Sequence, residues 1–204
     1  TLAERHIDII DKRGSLNPII ELGDLLKTNP GVNLWGEGSL PEGFPFQSRN
    51  DLAQNSHLVI WSAPPSQTVL KEVITHTKPK MVTIFAEISN LDDYNVFINR
   101  VGGIAKFALS NFNGKVNLER AAAVCSASEE TVALGIRLWA AKGAFQVSFD
   151  DDIAYISPLV NQPNLTAIKQ YEDILKKSLE ESAAFRSYFI HGDINTLLTY
   201  STSK

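Results

Sequence analysis

The sequence predicts an α/β part joined to an α+β part, and three observations carry that prediction. Up to about residue 90, β-branched apolar runs alternate with amphipathic runs. Over 91–158 a helix-turn-helix pattern precedes two runs of period-two alternation, and from about Asn164 one long amphipathic run closes the chain. With 204 residues, 44% apolar and 21% charged, the chain has material for one or two real cores.

In the first part, Ile7-Asp8-Ile9-Ile10 reads as a strand. Pro18 to Leu26 has helical spacing, with Asn17 as cap and Pro18 at the first helical position. Val32-Asn33-Leu34-Trp35 is a second strand and His57-Leu58-Val59-Ile60-Trp61, after a Gly/Pro loop, a third. Ser66 caps a helix to about Thr77, and Met81-Val82-Thr83-Ile84-Phe85 is a fourth strand. This order implies a small, mainly parallel sheet domain over 1–90 with right-handed crossovers.

Open α/β sheets place ligands at the carboxyl ends of their strands, which singles out Asp11-Lys12-Arg13-Gly14, Gly36-Glu37-Gly38 and Ser62-Ala63-Pro64-Pro65-Ser66. None is a phosphate loop. There is no G-x-G-x-x-G and no G-x-x-x-x-G-K-[ST], and Pro64-Pro65 removes two backbone donors that a phosphate cradle needs. Asp8 and Asp11 near the first strand end offer the residue types of a carboxylate pair, but no base, nucleophile or oxyanion donor is identifiable beside them and no role is assigned to them.

In the second part, 91–158, Asp92 or Asp93 caps a helix to about Asn111 with Val96, Phe97, Val101, Ile104, Phe107 and Ala108 on one face. Asn113-Gly114 turns the chain into a short extended piece, Lys115-Val116-Asn117. Leu118 to Val124 is a short Ala-rich helix, and Ser128 opens the next, with Glu129 and Glu130 in its first turn and Lys142-Gly143 at its end. Phe145 to Phe149 and Ile153 to Ile156 alternate around Asp150-Asp151-Asp152 as a hairpin. Extended piece, helix, turn, helix, Gly stop and hairpin is the order of a winged helix-turn-helix. The segment 159–204 reads as C-terminal and helical, with Ile168, Tyr171, Leu175 and Leu179 at helical spacing and Phe185, Tyr188 and Phe189 near its end.

Charge restricts what this unit does. The net charge is −4, and 91–158 carries six basic and eight acidic side chains, against the clustered cations that grip a phosphate backbone. The helix that would enter a major groove begins with two glutamates, and the hairpin tip is three aspartates, so packing or protein contact is the better default than duplex reading. Lys115, Arg120, Arg137 and Lys142 are the candidates for touching nucleic acid.

No catalytic or metal-ligating residue is assigned. His6, His57, His76 and His191 are scattered without H-x-x-x-H spacing, and His191-Gly192-Asp193 reads as a cap and turn. The three hairpin aspartates read as turn formers. Cys125, the only cysteine, permits neither an intrachain disulfide nor a thiolate cage, which favours a reducing, cytoplasmic setting. No apolar run approaches the roughly 20 residues of a membrane span. The chain opens at Thr1 rather than Met, with strand-like sequence from Ile7, and reads as a piece of a longer protein.

Several stretches together resemble one family. They are Ile7 to Gly14, LVIWSAPPSQTVL from Leu58, INRVGGIAKFAL from Ile98, VNLERAAAV and ETVALGIRLWAAKG ending at Gly143, and EESAAFRSYF from Glu180. They resemble the C-terminal extension of cyanobacterial-type RecJ single-stranded-DNA exonucleases. The resemblance implies a parent that degrades single strands 5′-to-3′ in DNA repair and recombination, using Mn or Mg at a cluster of Asp and His residues. This chain has no DHH triplet, so no catalytic residue is carried over and no cofactor is expected within it. The implied partners are the parent's upstream nuclease core, single-stranded DNA or a repair protein. Members carry Arg near the positions held here by Ser128 and Ala133, a departure that weakens DNA contact by that helix. The residues alone leave two alternatives, a stand-alone winged-helix regulator with an effector-binding α/β domain and a small nucleotide-binding enzyme.

Overall fold

Four short apolar runs lie side by side and parallel in the computed structural model, which describes residues 7–88, 90–159 and 161–202. The chain divides into two units. One joins the segment before residue 90 to residues from Ala184 onward, and the other is Asn90–Ala183.

In the first unit, β1 (Asp8–Asp11), β2 (Asn33–Trp35), β3 (His57–Ser62) and β4 (Met81–Glu87) form one parallel sheet in the order β1-β4-β3-β2. The two central strands carry near-continuous apolar sequence because both their faces are covered. Along β3 the period-two alternation divides the side chains between two cores. Val59 and Trp61 meet Leu22 of α1 (Pro18–Thr28) together with Leu34 and Phe85. Leu58 and Ile60 face the other way, onto Val69, Leu70, Val73 and Ile74 of α2 (Gln67–Thr77). Ser66 caps α2 as expected, its Oγ accepting from the Val69 N–H at 3.2 Å. Asn17 caps α1 by position only, without a side-chain hydrogen bond.

The second core of the sheet is completed from the far end of the chain. Phe189, Ile194, Leu197 and Leu198 are buried in it. They lie on the end of α6 (Leu165–His191) and on α7 (Ile194–Thr202). The expected C-terminal segment 159–204 is therefore divided, because Leu175 and Leu179 of α6 lie instead in the core of the second unit. The sequence reading missed α7. His191-Gly192-Asp193 does cap and turn the chain, but the turn leads into another helix. The Gly192 N–H donates to the Tyr188 carbonyl at 2.7 Å, and Asp193 accepts from the Asn195 N–H at 3.1 Å and the Thr196 hydroxyl at 2.5 Å.

In the second unit a 3-10 turn (Asn90–Asp92) leads to α3 (Tyr94–Asn111), β5 (Lys115–Asn117), α4 (Leu118–Cys125), α5 (Glu129–Ala141) and the hairpin β6 (Gln146–Asp150) and β7 (Ile153–Ser157). The three strands pair antiparallel in the order β5-β7-β6. Asp93 caps α3, Asn117 caps α4 and Ser128 caps α5, each through a side-chain oxygen. The helices bury Phe97, Val101, Val132, Ile136 and Leu138 against Val116, Ala154 and Ile156 of the sheet.

The face assigned to α3 needs correcting. Val96 and Phe107, expected in the core, are 41% and 59% exposed. The buried stripe is Phe97, Ile98, Val101, Ala105 and Ala108. With about 100° between successive residues, Phe107 points well away from Ala108, and the small alanines let α3 approach its neighbours without it. Trp139 of α5 lies over Gly102, where an added Cβ would stand 3.0 Å from the indole, and its Nε1 donates to the Ile98 carbonyl at 2.8 Å.

Among the described residues, no helix is long and apolar enough to cross a membrane.

Two glycines on one stretch of chain give opposite expectations. Gly114 sits at φ +77, and a Cβ there would stand 1.9 Å from the Ile156 carbonyl oxygen, so Gly114→Ala should destabilise the second unit by at least about 2 kcal/mol. Gly103 is inside α3 with nothing within 4 Å of an added Cβ, so Gly103→Ala should stabilise by about 0.5–1 kcal/mol. Urea titrations of the two variants check both signs.

Candidate functional site

The carboxyl edge of the parallel sheet is the place where this class of fold puts ligands, and three loops meet there. Each is occupied by bonds within the first unit. Glu37 is buried and accepts at Oε1 from the Trp35 Nε1 at 3.0 Å, the Arg49 N–H at 3.0 Å and the Arg49 Nε at 2.8 Å, while its other oxygen takes the Arg49 Nη2. Ser62 links this pair to β3, its hydroxyl donating to the Glu37 carbonyl at 2.9 Å and accepting from the Glu37 N–H at 3.1 Å. Glu37, Arg49, Trp35 and Ser62 thus form a closed network holding the Gly36-Glu37-Gly38 loop against the strand end.

Asp11 and Arg13 behave in the same way. Arg13 binds Asp11 through Nε at 2.9 Å and Nη2 at 2.7 Å, and its Nη1 donates to the carbonyls of Phe189 and Gly192 at 2.5 and 3.1 Å. A guanidinium on the last carbonyls of α6 is favourable there, where the helix presents its negative end. Hydrogen bonding from Arg13 holds the Asp11 carboxyl below its ordinary range. The Ala63 carbonyl accepts from the Arg186 guanidinium, which is buried beside it. Beside these, Glu87 at the end of β4 is half-buried, and desolvation pushes its carboxyl up.

The four cations singled out in the second unit separate into two kinds. Arg137 and Lys142 are engaged internally. The Arg137 guanidinium lies 4.2 Å from the centre of the Phe149 ring, and Lys142 pairs with Glu172 of α6 at 3.2 Å. Glu172 also accepts from the Tyr94 hydroxyl at 2.9 Å, which with Lys142 holds its carboxyl low, while burial and then this bond push the Tyr94 phenol up to about 12. Lys115 and Arg120 are exposed on β5 and α4. Lys115 Nζ stands 5.7 Å from the ring centre of Tyr155, its partner across the strands.

Helix α5 is enclosed within its unit. Thr131, Val132, Ala133, Gly135, Ile136 and Leu138 are buried, and its exposed residues are Glu129 and Glu130. The Thr131 and Ser178 hydroxyls meet at 2.7 Å, so α6 runs along the flank that ends at Lys142 and Glu172. At the hairpin tip Asp151 takes a left-handed conformation, φ +48, and Asp152 accepts from the Asn117 amide at 3.1 Å and the Leu118 N–H at 2.7 Å. These are the bonds of turn formers. Among the described residues no group of three or more His, Cys, Asp or Glu is placed to hold a metal ion.

Sequence reasoning missed an exposed aromatic pair. Phe107 and Phe112 are 59% and 56% exposed and meet edge-on with ring centres 5.5 Å apart. The signal was present in the spacing. Phe107 falls beside the Phe97, Val101, Ala105, Ala108 stripe rather than within it.

Two side chains test this reading. Arg49→Met would leave Glu37 buried and unpaired, so stability in urea should fall by about 3–5 kcal/mol. Cys125 is buried, and burial raises its thiol to about 12, so a thiol reagent at neutral pH should modify it only after unfolding. Rapid modification of the folded chain would show that helix α4 opens readily. Compared with known proteins, the chain matches no family model, no curated protein and no solved structure.

Proposed function

We propose that this chain is a non-catalytic accessory region of a RecJ-type single-stranded-DNA exonuclease, in which Asn90–Ala183 acts as a winged helix that positions single-stranded DNA or docks a repair protein. The observation that carries the proposal is the enclosure of α5. A helix that reads a major groove must present side chains to base edges, whereas α5 presents Glu129 and Glu130. Two anionic side chains against the groove would oppose entry, and α6 lies along its flank. Helix, strand, two helices and hairpin then serve as a scaffold, with Lys115 and Arg120 left at the surface to meet an anionic partner.

Two further features support the accessory reading. The sheet's carboxyl edge is occupied by Glu37–Arg49 and Asp11–Arg13, both tied into the fold, rather than by groups held apart for a substrate. The chain-long sequence resemblance supplies the parent and its Mn or Mg chemistry. This sequence has no DHH triplet, so the proposal places the metal cluster and the hydrolytic step in the parent's catalytic core.

The isolated chain should leave a labelled single strand intact with Mn present, and metal-dependent degradation would overturn the proposal. Titration with duplex DNA at low salt should be flat. Saturable duplex binding would instead support a stand-alone winged-helix regulator.

A further inference from the structure

The charge of the second unit is unevenly placed. From Tyr94 to Leu118 the chain carries Arg100, Lys106 and Lys115 and no Asp or Glu, in a protein whose net charge is −4. The end of this stretch also carries the exposed pair Phe107 and Phe112. Lys106 precedes Phe107 on the exposed side of α3. Lys115 donates its N–H to the Phe112 carbonyl at 3.0 Å and reaches over Tyr155, itself 38% exposed. Two contacts thus lie close along the chain, the Phe107–Phe112 ring pair with Lys106 next to it in sequence and, three residues on from Phe112, Lys115 over the Tyr155 ring.

We propose that this surface, where α3 turns into β5 beside β7, binds single-stranded nucleic acid, with Phe107 and Phe112 stacking on bases and Lys106 and Lys115 meeting phosphates. The occupant follows from two properties taken together. Cations without neighbouring acids on their own stretch select an anion, and flat rings select a partner with flat faces of its own. A base has such faces whatever its identity, so the binding tolerates any sequence. Duplex DNA keeps its bases stacked on one another and denies them to the rings. Asp150, Asp151 and Asp152 close the far end of the hairpin, Asp150 standing opposite Ile153, two residues and roughly 7 Å along the strand from Tyr155. A bound strand consequently runs from Lys115 toward Lys106, away from the tip.

The inference deepens the accessory-module reading and rests on it only for the choice of DNA over RNA. The test uses the full chain with labelled oligo-dT and oligo-rU, followed by fluorescence anisotropy at low salt. Both strands should bind weakly and saturably. Phe107→Leu and Phe112→Leu should each weaken binding about tenfold, since Leu keeps the apolar surface but not the stacking face. Both rings are more than half exposed, so the thermal melts of these variants should match the parent and exclude misfolding. Two phosphate contacts predict a log–log salt slope of about 1.4, which Lys106→Gln with Lys115→Gln should abolish. Failure of both oligonucleotides to bind, or binding indifferent to the two Leu variants, would overturn the patch while leaving the accessory reading to the nuclease test. Concentration-dependent self-association that the Leu variants abolish would also overturn it, by making the rings a contact between copies. A clear preference for oligo-rU would support the patch and count against the DNA accessory reading.

Discussion

A parallel sheet whose central strands are apolar on both sides cannot leave either face in water, and much of this chain's organisation follows from that constraint. β3 sends Val59 and Trp61 to one side and Leu58 and Ile60 to the other. One side is closed locally, by α1 through Leu22. The other needs more than α2 supplies, and the closure comes from Phe189, Ile194, Leu197 and Leu198, more than a hundred residues later. Each such side chain contributes about 1.5–3 kcal/mol on burial, which is the gain that draws the end of the chain back to the beginning. The first unit is therefore discontinuous, and Asn90–Ala183 is inserted within it.

Polar groups at the strand ends are consumed by the same requirement for closure. Glu37 is buried, and its carboxylate accepts from the Trp35 indole, the Arg49 N–H and the Arg49 guanidinium. Arg13 ties the first strand's end to the last carbonyls of α6. Buried charge is tolerated only when partnered in this way. The consequence for function is that charge at the sheet edge is internal wiring. On the second unit, the acid-free stretch from Tyr94 to Leu118 is offset in the total by acids elsewhere.

Much of the local structure was legible in the sequence. Strand and helix limits lie within one to three residues of their expected places, and Ser66, Asp93 and Ser128 cap the helices assigned to them. These succeed because caps and periodicity act over three or four residues. Two readings failed for a common reason. Phe107 was placed in the core because it is apolar and near helical spacing, and α7 was passed over because Ile194–Thr202 is short and half polar. In both cases the deciding partners are distant in sequence. Of the four candidate cations, Arg137 lies over Phe149 and Lys142 pairs with Glu172, contacts that spacing along the chain does not reveal.

The sequence by itself determined the alternation of elements, the parallel character of the first sheet, the hairpin after α5 and the absence of a phosphate loop or DHH triplet, because each is written in neighbouring residues. Only the tertiary structure decided that α5 is enclosed, that the C-terminal segment is divided between two cores, and that Phe107 and Phe112 are left in water. Burial is a property of surfaces meeting, and those surfaces are assembled from residues far apart along the chain.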